Sequence, residues 1–168
     1  AQFAASPASA QPGPRWQDRP DFWHPGWMRR HMWGRKDLGR EVRARMQRHW
    51  TFMHGSIPST YEDARSTVEP TKENIEAGAK LYQANCVSCH GKRGLGDGAA
   101  GRSLSPSPAL LAYLIQRPIA VDGYLMWTIS DGGAVFKTDM PAFKDTLSKV
   151  DIWKVIAYMR AGFPEIKK

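Results

Sequence analysis

Cys86-Val87-Ser88-Cys89-His90 spends both cysteines of a 168-residue chain inside one short run, CVSCH. The pattern C-x-x-C-H is the attachment signature of c-type haem. One helical turn spaces the two sulfurs to reach both vinyl groups, and the next residue swings back to the iron. Cys86 and Cys89 would form the thioethers, and His90 would bind the metal from one side. Two other chemistries use a short C-x-x-C. A structural zinc site needs about four ligands, and the chain has no further cysteine, while His24, His31, His49 and His54 all lie well upstream. A redox dithiol would want a βαβ context, and the flanks of CVSCH read as helix.

A haem iron needs a sixth ligand or an open site. Downstream of the motif stand Met126, Met140 and Met159. Met126 lies in DGYLMWTI and Met159 on the apolar face of the last helix, where methionine fills a core. Met140 stands in KTDMPAF, directly before Pro141. The residue before proline is pushed out of the α region, so Met140 is presented from an extended segment. A thioether favours reduced iron. On spacing alone, ligation and plain packing both stay open for Met140.

CVSCH, then MPAF at 140–143, then LSKVDIWKVIAYMRAGF at 147–163 resemble, in the same order, the motifs of class I cytochrome c. The resemblance spans about residues 70–164. It implies a small all-α fold around one covalently bound haem c, with His90 and Met140 as axial ligands and electron transfer as the activity. It implies that Gly78 and Tyr82 mark where the first helix of that domain crosses the last. It also implies a proline carbonyl hydrogen-bonded to His90, with Pro106 and Pro108 as the two candidates. Such an acceptor orients the ring and raises its basicity.

The residues agree with that outline. Thr71 reads as an N-cap, with Glu73 and Glu76 in the first turns. Ile75, Gly78, Ala79 and Tyr82 follow at helical spacing. Gly78 costs roughly 1 kcal/mol against alanine in mid-helix, which a close helix crossing would explain. Ser148 and Asp151 spell a capping box, ahead of the stripe Ile152, Val155, Ile156 and Met159, with Trp153 and Tyr158 as core and rim packing. Gly162 and Pro164 end that helix. Residues 91–108 read as loop. Gly96, Gly98 and Gly101 spell G-x-G-x-x-G there, but no strand precedes them and a lone match is weak. Short helices are expected at 108–117, with Pro108 in the first turn, and at 121–130, with Leu125, Trp127 and Ile129 toward haem or core.

The rest divides into a proline-rich tail at 1–14 and a basic Trp/Met/His-rich extension at 15–66, ahead of the haem domain at 67–168. Residues 36–54 fit an amphipathic helix with Leu38, Val42, Met46, Trp50 and Met53 along one side. The extension could fold back onto the haem domain, or serve as a docking arm, since Trp, Tyr and Arg are favoured in interface hot spots. A third reading is a copper site built from His24, Met28, His31, Met46, His49, Met53 and His54, whose soft donors suit Cu(I). The formal charge of +8 favours a redox protein partner with an acidic surface. It also allows anionic lipid head groups. Nucleic acid does not suit an exported haem protein. No apolar run reaches the ~20 residues of a membrane span. The chain reads as a periplasmic protein already relieved of its signal peptide.

The expected function is one-electron transfer between periplasmic redox proteins, without catalysis by this chain. A dedicated subunit of a larger oxidoreductase, attached through residues 15–66, is the alternative. A gas-binding or peroxidatic haem protein is a third class, and it requires an open sixth position.

Overall fold

The computed structural model describes residues 40–54 and 57–166. Seven α-helices occur among them: α1 Arg40–Met53, α2 Ser59–Glu62, α3 Lys72–Asn85, α4 Val87–His90, α5 Leu111–Leu114, α6 Asp122–Asp131 and α7 Lys149–Arg160. Two 3-10 turns, Ala99–Ser103 and Ala134–Phe136, complete the elements. No strand occurs among the described residues, so the all-α expectation holds.

The frame is the contact between α3 and α7, the most extensive between any two helices. Both helices start where side-chain chemistry tells them to. Thr71 Oγ1 accepts from the Asn74 amide at 3.3 Å. Ser148 Oγ accepts from the Asp151 amide at 3.1 Å while Asp151 accepts from the Ser148 amide at 3.2 Å. Each such cap contributes about 1 kcal/mol. Along α7 the stripe is buried as its spacing predicts, with Ile152, Val155 and Ile156 each 1% exposed. Trp153 and Tyr158 are buried beside it.

Gly78 is where α3 touches α7. A methyl group there would overlap the backbone carbonyl of Lys154. Only a residue without Cβ lets the two backbones approach this closely. Two effects oppose each other in Gly78→Ala. Helix propensity favours alanine by about 1 kcal/mol, but the contact is with backbone, which cannot rotate away, and overpacking costs about 1–3 kcal/mol or more. The clash should win. Denaturant melts of the holoprotein are expected to show a clear loss of stability, and an unchanged or raised midpoint would contradict the crossing.

Two expectations shift. The helix expected at 108–117 shrinks to Leu111–Leu114, with Pro108 ahead of it rather than in its first turn. Pro108 packs against Gly101, and the backbone that follows is drawn to the haem-motif histidine, as described below. Helix α6 runs one residue later than expected, with Val121 at its N-cap.

The larger correction concerns α1. Leu38 lies outside the described residues, as does the side chain of Val42. Met46 is half-buried, but Trp50 and Met53 are 53% and 61% exposed. The inward face is instead Ala44 and Arg48, both buried, and half-buried Phe52, one turn apart each. Phe52 packs edge-on to Tyr124, with ring centroids 5.2 Å apart, and stacks near Trp127 at 6.2 Å. Arg48 lies over the rings of Phe136 and Trp127. Pattern reading counts arginine as a solvent residue, so the face it anchors goes unseen.

Further along, Ile57 is 7% exposed inside the main core, with Tyr61 and Ala64 packed against it. The described part of the extension thus folds back, and the core runs across the expected boundary at residue 67. The tail at 1–14 and the extension up to residue 39 lie outside the described residues. No helix among the described residues is long and apolar enough to cross a membrane.

Candidate haem-binding site

The CVSCH run forms the end of α3 and all of α4. Cys86 closes α3, its amide donating to the Tyr82 carbonyl at 2.8 Å. The His90 amide then returns to the Cys86 carbonyl at 2.9 Å. This is the single helical turn that the motif needs, with both cysteines free and half-buried. Burial, helped by the neighbouring Cys89, pushes the Cys86 thiol up to about 12. Redox-active C-x-x-C thiols are shifted the other way, so Cys86 lacks the lowered pKa of a thiol built for disulfide exchange.

His90 Nδ1 lies 3.0 Å from the carbonyl oxygen of Ala109. A carbonyl only accepts, so Nδ1 carries the proton and Nε2 keeps its lone pair free for a metal. Burial lowers the His90 pKa, and the bond to Ala109 partly opposes it. The ring is therefore held neutral, as a ligand must be. The acceptor is neither Pro106 nor Pro108. The Pro108 carbonyl lies against Gly96 instead. Residues 108–110 stay outside the helix, and the Ala109 carbonyl points to the imidazole. A backbone carbonyl leaves no mark in a sequence, so this residue could not be read there.

The glycine-rich loop is pressed onto the motif. A methyl group on Gly98 would overlap the Ser88 carbonyl, and one on Gly101 would come within 2.6 Å of the Cys89 carbonyl. These glycines therefore serve close approach to CVSCH, and G-x-G-x-x-G has no nucleotide role to explain. Tyr82, 1% exposed, donates its hydroxyl to the Gly91 carbonyl at 2.9 Å. That bond ties α3 to the residue following His90.

Met140 lies in irregular backbone, as the following proline predicts, and packs half-buried at the rim of the main core, which Cys86 also borders. Its carbonyl accepts from the Gly133 amide at 2.9 Å. Met126 and Met159 are both 3% exposed within the core, and Met126 Sδ accepts from the Ser130 hydroxyl at 3.3 Å. Trp127 is buried against Phe52, Tyr124 and Phe136, inside the core.

The residues present fit a covalently held haem: two free thiols on one helical turn, a neutral imidazole with Nε2 free, and a thioether on irregular backbone. The copper reading gains nothing here. His24, Met28 and His31 lie outside the described residues. Among the described ones, no group of three or more His, Cys, Asp or Glu side chains could hold a metal ion. His54 stacks on Trp50 and engages the Trp50 carbonyl at 2.8 Å.

Two comparisons with known proteins return a match. The family profile described as cytochrome c oxidase, cbb3-type, subunit III matches residues 73–159, just over half of the chain. Among solved structures, a chain of the reducing HAO-like protein complex of Kuenenia stuttgartiensis is similar, at 23% identity and a TM-score of 0.47. The alignment covers 62% of this chain and 54% of that one, so this chain spans about half its length. No curated protein matches. With its C-x-x-C-H turn, its helical frame and the profile match, the chain belongs to the family of cytochrome c oxidase, cbb3-type, subunit III, and is a class I c-type cytochrome.

Proposed function

We propose that this cytochrome carries single electrons between exported redox proteins, with one haem c tethered by Cys86 and Cys89 and its iron held by His90 and Met140. When bound, the haem supplies a one-electron couple. The observation that carries the reading is the fixed imidazole: Nδ1 is committed to the Ala109 carbonyl at 3.0 Å, which leaves a single ligating nitrogen in a set orientation. Ligands held in place in both oxidation states keep reorganisation small, and a filled sixth position keeps substrates off the iron. This favours a carrier over an oxygen-binding or peroxidatic site. A periplasmic location follows from the likeness of C-x-x-C-H to exported bacterial cytochromes, and localisation of the holoprotein in cell fractions tests it.

The second reading, a subunit docked to a larger redox enzyme, is favoured by the outer face of α1. Trp50 and Met53 are more than half exposed there, on a helix that also shows Arg43 to solvent. An aromatic and a flexible thioether beside positive charge suit an acidic protein partner. Both readings meet in one experiment. Electron transfer with the native partner should slow by about tenfold or more from low to high salt, as the Debye length shrinks from about 10 Å at 0.1 M to about 3 Å at 1 M. Trp50→Ala combined with Met53→Ala should slow it further at every salt concentration. Rates of the double variant that match the native protein throughout would remove α1 as the docking face.

A further inference from the structure

We propose that Arg48, outside the region shared with the family, is a positioning residue that locks the Met140 segment from behind and so keeps the sixth ligand on the iron. The inference rests on Met140 being that ligand.

Arg48 is 8% exposed. Among the described residues it pairs with no carboxylate. Its Nη2 donates to the Gly132 carbonyl at 2.9 Å, and its guanidinium carbon lies 4.8 Å from the Phe136 ring centroid and 5.7 Å from that of Trp127. Burial lowers its pKa, with Tyr124 partly offsetting, yet a guanidinium keeps its proton in proteins. A cation buried this way is a costly choice if packing were the only task, since an apolar side chain of similar volume would fill the space as well. What arginine adds is the bond to Gly132.

Gly132 is the first residue beyond α6. The last carbonyls of a helix lack intrahelical partners, and a cation near that end is favourable. Arg48 thus fixes the chain as it leaves α6. The next residue carries the whole Met140 segment. The Gly133 amide donates to the Met140 carbonyl at 2.9 Å. The Gly133 carbonyl accepts from Phe136 at 2.9 Å and from Thr138 at 3.1 Å. Phe136, within this segment, is the ring on which Arg48 rests. Arg48 therefore grips the segment twice, at the carbonyl before its hub and at the aromatic in its middle.

The test uses full-length holoprotein and free imidazole, which enters the ferric iron only by displacing the sixth ligand. Arg48→Met and Arg48→Gln should raise imidazole affinity by about tenfold or more, the scale set by losing a hydrogen bond to a charged group. Without imidazole, both should keep the far-red absorption of a sulfur–iron bond, at reduced intensity. Gln47→Ala, at an exposed position of the same helix, should leave imidazole affinity native. A residue that merely supports the fold would lower the melting midpoint and leave imidazole affinity alone. Native affinity in both Arg48 variants would therefore overturn the proposal. If neither accumulates as holoprotein, Arg48→Lys decides: it keeps charge but loses the planar fork, so affinity should still rise, and native affinity refutes the lock. Met140→Ala separates the two levels of inference. If it keeps the sulfur–iron absorption, the ligand assignment fails; if it loses that band while the Arg48 variants behave as native, only the lock fails.

Discussion

Alanine at position 140 is expected to open the sixth coordination position. The ferrous protein should then bind carbon monoxide, and the reduction potential should fall. The thioether favours Fe(II), and axial ligation moves haem potentials over about 0.8 V in all, so a drop on the order of 100 mV is the scale to look for. The controls are the other two downstream methionines. Met126→Ala and Met159→Ala remove side chains that are 3% exposed, and each should cost about 2–5 kcal/mol of stability while leaving coordination intact. Absorption spectra, carbon monoxide titration and voltammetry read all three variants. A native spectrum in Met140→Ala would show that Met140 only packs.

Removing residues 1–66 is expected to weaken the remaining protein severely. The loss includes Phe52 between Tyr124 and Trp127, and Ile57 within the main core. Fully burying such a side chain is worth about 1.5–3 kcal/mol, which applies to Ile57, while half-buried Phe52 contributes less. The Tyr61 hydroxyl bond to Asp131 at 3.0 Å and the Ser66 amide bond to Asp122 at 2.7 Å go with them. Together these approach the lower end of the ~5–15 kcal/mol that holds a typical domain folded. Denaturant melts of the 67–168 fragment against the full chain, both with haem attached, measure the difference. Coincident melts would make the extension an appendage and restore a domain boundary at residue 67.

The parts that could be read from sequence are those whose cause lies within a few residues. CVSCH, the Thr71 cap, the Ser148–Asp151 box and the α7 stripe all satisfy themselves locally, so their residue types announce them. Gly78 was legible for a related reason, since a glycine in mid-helix needs an excuse. What stayed hidden depends on distant partners. Ala109 acts through its backbone, and any residue there offers the same carbonyl. Arg48 is buried because Gly132, Phe136 and Trp127 await it across the fold, and nothing near it in sequence distinguishes it from Arg43 or Arg45. The clue that existed was its company: Ala44 and Phe52 stand four residues to either side, on the same face.

The crossing at Gly78 also dictates an order of events as the chain folds. Gly78 meets the backbone of Lys154, so α3 cannot complete its main contact until α7 is in place. Partners this far apart in the chain are slow to find each other. The CVSCH turn, which continues directly from the end of α3, therefore gains its main support late in folding.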